Sequence, residues 1–130
     1  MKTNWLDRRI AAPGPHMALC LTETEFKAAC RSIGCAPPDF MGSARAQATA
    51  HFFDGKSGSA SVIVCMQDWQ GRDPVEVAGL LVHEAVHVWQ EHASAIGEHA
   101  PGAEQEAYAI QAIAQELMAE FARRMRTIEP

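Results

Sequence analysis

The stretch Asp73-Pro74-Val75-Glu76-Val77-Ala78-Gly79-Leu80-Leu81-Val82-His83-Glu84-Ala85-Val86-His87-Val88-Trp89 decides how this chain is read. It opens with a near-complete helix start: Asp73 as capping residue, Pro74 at the first helical position, and Glu76 three residues after the cap. The apolar residues that follow predict a helix through Val88 or beyond, finished by Gly97. His83 and His87 stand at i and i+4, one above the other on one face, so both imidazoles can reach a single ion. Glu84 is rotated to the side of that pair, where it can address a water at the same ion. Leu80, Leu81, Val82, Val86, Val88 and Trp89 surround the polar triplet. A helix with apolar residues on nearly every side is a core helix, whose polar groups need partners. An amphipathic helix with solvated His and Glu leaves that apolar wrapping unexplained.

Two imidazoles and a carboxylate in this arrangement suit Zn²⁺ with an open position for water, whose pKa would fall toward neutrality. Glu84 is then the expected general base, taking the water's proton and returning it to a leaving group. The same donors also suit other divalent ions.

Outward from the motif, Pro101-Gly102 introduces a last long helix from Ala103 to about Arg126. Its expected apolar face holds Ala107, Ile110, Ala114, Leu117 and Phe121, and Arg123, Arg124 and Arg126 sit where cations suit the helix dipole. Upstream, Ala48–Phe53 and Ser59–Gln67 read as two strands of a hairpin around the turn chemistry of 54–58. Residues 35–47 and 69–73 read as loops. Thr22, with Glu25 three residues on, has capping-box spacing for a helix that Gly34 stops, with Phe26, Ala29, Cys30 and Ile33 on one face. His16–Leu21 is a possible further strand, and residues 1–15 an irregular lead-in. The layout is α+β: an N-terminal helix, a hairpin or small sheet, the H-E-x-x-H helix and a long C-terminal helix.

At 130 residues the chain is expected to be one domain, 1–130, with enough core to need no staples. A net charge of −5, with lysine only at Lys2, Lys27 and Lys56, argues against nucleic acid or an anionic membrane as the main partner. The run after Lys2, Arg8 and Arg9 is broken by Pro13-Gly14-Pro15, so no export signal is expected there, and no stretch is apolar enough to span a bilayer. The expected compartment is the cytoplasm. Cys20, Cys30, Cys35 and Cys65 lack C-x-x-C spacing and read as reduced, buried thiols, with a Cys30–Cys35 link or a cysteine-bound metal as alternatives.

Over roughly residues 48–125 the sequence resembles the zincin metallopeptidases. His83-Glu84-Ala85-Val86-His87-Val88-Trp89-Gln90 followed by Glu104-Gln105-Glu106-Ala107-Tyr108 looks most like the small metallopeptidases encoded in phages and prophages. The resemblance implies a minimal zincin-like fold with an edge strand, here Ser59–Gln67, that pairs with the backbone of a peptide or protein substrate. It also implies a third zinc ligand downstream. A metzincin would carry histidine at position 93, which is alanine, and an aspzincin a later aspartate, but none follows Asp73. The gluzincin pattern fits Glu104, with Ala107 allowing close helix approach and Tyr108 one turn on. Glu106, nearer the apolar face, is the rival ligand. Tyr108 could serve as an oxyanion donor or simply pack its ring. His51, His92 and His99 could supply supporting donors or lie at the surface; Trp89 reads as core, and Gln90 could orient a ligand. The resemblance thus implies a zinc metallopeptidase with His83, His87 and Glu104 as ligands. A non-catalytic metal-binding accessory protein of phage type is the alternative, as is an interaction module dimerising through the alanine-rich final helix.

Overall fold

The structure is a computed structural model, and it describes residues 1–6, 16–43, 46–54 and 60–128. The chain runs β1 (His16–Cys20), α1 (Glu23–Ser32), β2 (Ala48–Asp54), β3 (Ala60–Met66), α2 (Pro74–Ala95) and α3 (Ala103–Ile128). This is the small α+β fold expected, with three helices and a three-stranded sheet in the order β1-β3-β2. The turn chemistry of 55–58 and most of the lead-in lie outside the described residues.

Local chemistry places the helix ends. The Thr22 side chain accepts from the Glu25 N–H at 3.1 Å, and Glu25 reaches back to the Leu21 N–H at 2.8 Å, a capping box displaced by one residue. Asp73 accepts from the Val75 N–H at 2.7 Å, with Pro74 behind it. At the far end of α2, Gly97 takes φ +76°, and two bonds close the helix: Gly97 N–H to Ser94 O, and Glu98 N–H to Ala93 O. That pair is a Schellman motif, which the left-handed glycine makes possible.

Alternation along the strands separates two cores, because successive side chains point to opposite faces. Met17, Leu19, Val62, Val64 and Met66 meet α2 and α3 through Leu81, Ala85, Val88, Ile113 and Leu117. Cys20, Ile63 and Cys65 face the other way, onto Phe26, Ala29 and Cys30 of α1. Helices therefore cover both faces of the sheet. Cys20, Cys30 and Cys65 are buried free thiols and Cys35 is a half-buried one, so no Cys30–Cys35 bond is formed. Burial foremost, then the neighbouring thiols, push Cys30 and Cys65 above the ordinary thiol range.

Two expectations are corrected. The strand Ser59–Gln67 was expected at the edge, but β3 is central, parallel to β1 and antiparallel to β2. Its pattern explains this: six consecutive buried residues, Ser61–Met66, need cover on both faces and both sides. The edge belongs to β2. On α3 the packed face centres on Ile113, Ala114 and Leu117, while Ala107 is exposed and mediates no close helix approach.

No helix among the described residues is long and apolar enough to cross a membrane.

Candidate functional site

The motif splits by helical angle. Leu81, Ala85 and Val88 point into the core, and Glu84, on the flank toward β2, is only 5% exposed. His83 and His87 rise on the open side, where His83 keeps 66% of its side-chain surface. The apolar wrapping thus buries the glutamate and leaves the imidazoles at the mouth of a cleft.

The two rings converge. His83 Nε2 and His87 Nε2 stand 3.2 Å apart, with ring centroids at 4.8 Å and planes at 73°. Two nitrogen ligands on a tetrahedral zinc ion, each at about 2.0–2.1 Å, are separated by about 3.3–3.4 Å, so the observed bite fits such an ion. The same spacing suits one imidazole donating to the other, a proton that a metal would displace. On the far side of its ring, His87 Nδ1 meets Gln90 Oε1 at 3.3 Å. A carbonyl oxygen there favours Nδ1–H, which leaves the Nε2 lone pair for a ligand. Gln90 thus occupies the orienting place that the sequence allowed for it.

Glu84 Oε2 lies 4.0 Å from His83 Nε2. Burial pushes the Glu84 carboxyl above its ordinary range, an effect that the two imidazoles and a hydrogen bond from the Ala50 backbone only partly offset. A carboxylate with raised proton affinity is a stronger base.

The Ala50 contact follows from strand register. Gln67 N–H bonds Gln47 O, so the 47/67 pair is hydrogen-bonded, and pairs alternate along an antiparallel ladder. Residues 48, 50, 52 and 54 therefore turn their N–H and C=O groups outward from the free edge of β2. Thr49, Ala50 and Phe52 line one wall of the cleft, and Glu84, His87, Gln90 and Glu91 the other, around about 430 Å³.

Neither downstream glutamate joins the imidazoles. Among the described residues no set of three His, Cys, Asp or Glu side chains closes on one point. Glu106 Oε2 accepts from the buried Trp89 indole N–H at 2.9 Å. Trp89 is two residues past His87, about 200° around an ideal helix, so α3 docks on the flank away from the rings. Glu104, in the first turn of α3, is exposed and has no partner among the described residues. Tyr108 is 67% exposed and does not line the cleft. His51 serves the other core: its Nε2 meets Phe40 O at 2.8 Å and its ring lies 4.7 Å from that of Phe26. His92 neighbours Trp89, and His99 is exposed.

Sequence reasoning missed Ala50, Phe52 and Glu91. Glu91, seven residues after Glu84 on the same flank, was open to detection by helical spacing. Ala50 contributes only backbone, which no residue type announces.

Compared with protein families, curated proteins and solved structures, the chain matches none.

Proposed function

We propose that this domain is a zinc-dependent metallopeptidase that hydrolyses peptide bonds in an extended peptide or protein segment. The observation that carries the reading is the 3.2 Å convergence of His83 and His87 Nε2 beside a buried carboxylate, at the free edge of a strand. The donor chemistry suits zinc: two neutral imidazoles, one already oriented by Gln90, hold a borderline-soft ion well. Bound zinc would supply Lewis acidity, polarising a carbonyl and making water acidic near neutral pH.

The chain's own groups do the rest. The outward N–H and C=O groups of residues 48 and 52, and the C=O of Ala50, whose N–H is held by Glu84, can hydrogen-bond a peptide laid along β2, holding it straight beside Glu84. Glu84 accepts a proton from the attacking water at its carboxylate and hands it to the departing amine. Burial of Glu84 favours the first half of that transfer, because its proton affinity is raised.

For the third donor we assign Glu104 over Glu106. The Glu106 carboxylate is spent on Trp89, and withdrawing it would strand a buried indole N–H. Glu104 has no partner among the described residues, and reaching the rings requires the first turn of α3 to shift about the 97–102 connection. Tyr108 receives no role in this scheme, its ring being exposed away from the cleft.

A second reading, a non-catalytic metal-binding accessory protein, is favoured by one fact: among the described residues only two ligand-type side chains converge. Glu84→Gln separates the two. Under the peptidase reading, wild type cleaves a mixed peptide library, and the variant binds zinc equally well but does not cleave. A wild type that binds zinc and cleaves nothing in the library leaves the accessory reading standing.

A further inference from the structure

Beside the cleft lies a small side pocket of about 70 Å³ between the end of β2 and the last turns of α2. Phe52 and Glu91 line both spaces, so the two adjoin. Phe52, Val62 and Val88 supply its apolar lining, and Asp54 and Glu91, with His92 beside them, its ionisable groups, two carboxylates against one imidazole. Phe52 keeps 41% of its surface exposed, a large ring partly open to solvent. Among the described residues neither carboxylate has a hydrogen-bond or ion-pair partner. A separate hollow beside His83 differs: Arg72 stands there beside Gln47 and Glu76.

We propose that this pocket selects a lysine or arginine side chain of the peptide bound along β2, and so fixes where that peptide lies. The inference rests on the peptidase reading for the position of cleavage, though not for binding itself. An apolar lining with two carboxylates matches a side chain that buries a methylene stem and keeps its charge in water. The volume admits one side chain and no folded ligand. Position follows from strand geometry. Ala50 marks the reacting centre, because its N–H meets Glu84. Phe52 and Asp54 lie two and four residues along, about 7 and 14 Å away. Side chains of an added strand face the same side at every second residue, so the basic residue falls two to four positions from the bond at Glu84. Glutamate or aspartate in that place meets two like charges and is rejected.

The test uses zinc-loaded full chain and ten-residue alanine-based peptides with Lys, Arg, Glu or Gln walked through each position. Cleavage is mapped by mass spectrometry, and binding to Glu84→Gln is followed by fluorescence anisotropy. Cleavage should prefer Lys or Arg over Glu by roughly tenfold at one fixed position, the scale of two half-exposed charge contacts. The Asp54→Asn/Glu91→Gln double variant should lose the preference, and Glu91→Lys should reverse it. Cleavage with a flat or acidic profile overturns the pocket's role while the peptidase reading stands. With no cleavage at all, tighter binding of the lysine peptide upholds the pocket and removes the peptidase reading. Equal or absent binding in that case overturns the pocket too.

Discussion

Removing the Glu106 carboxylate should cost stability and leave the metal site untouched. Trp89 is 3% exposed, and its indole N–H has one partner, Glu106 Oε2 at 2.9 Å. In Glu106→Ala the donor stays buried between α2 and α3 without an acceptor. An unsatisfied buried donor costs about 1–3 kcal/mol, and a bond to a charged acceptor sits at the upper end of that range. Glu106→Gln keeps an oxygen at the same reach, so about half the loss is recovered. Urea unfolding followed by tryptophan fluorescence gives both values, and zinc titration of the same samples gives the stoichiometry. The expected order of stability is wild type, Gln, Ala, with zinc stoichiometry unchanged throughout. Unchanged stability with lost zinc in Glu106→Ala would refute the reasoning, because the carboxylate would then serve the ion and not the indole.

Glu84→Gln should abolish peptide hydrolysis while zinc stoichiometry holds, checked by a fluorogenic peptide assay beside metal analysis. At Glu120, burial pushes the carboxyl upward, but hydrogen bonds from Arg123 and Asn4 and the nearby arginine charges outweigh it and hold the group below its ordinary range. A depressed carboxyl contributes stability that is present above the ordinary carboxyl range and is lost as pH falls through its folded value. Acid unfolding of Glu120→Gln should therefore show a flatter pH dependence below about pH 4.5 than wild type; parallel curves would count against the network. Gly97→Ala places a side chain at φ +76° and should lower stability by about 1 kcal/mol in a urea titration. Leu117→Ala, at a wholly buried position between α3 and the sheet, should cost about 2–5 kcal/mol in the same assay.

How much was legible in the residues divides along the distance over which each signal acts. Thr22, Gly34, Asp73, Pro74 and Gly97 bound their helices through contacts within a few residues, and the element boundaries follow from them. The H-E-x-x-H triplet was legible for the same reason, since three positions of one helix need no tertiary information to share a flank. Strand order was not. β1 and β3 pair in parallel across about 40 intervening residues, and nothing in either segment names its neighbour. The run Ser61–Met66 did carry a usable sign, because a strand apolar at every position is a central one. Partnerships across helices were the least legible. Glu25 reads as a local cap, yet it also pairs with Arg124 from the far end of the chain. Glu106 reads as a rival ligand, yet it is taken by Trp89. Helical spacing names the flank on which a side chain sits and leaves open which element docks there.

Isothermal titration of the metal-free protein with zinc chloride, in parallel with His83→Ala and His87→Ala, tests most directly whether the paired rings form a metal site. One ion per chain is expected for wild type, and each single variant should lose that binding. Wild-type heats no larger than those of the His83→Ala/His87→Ala double variant would contradict it.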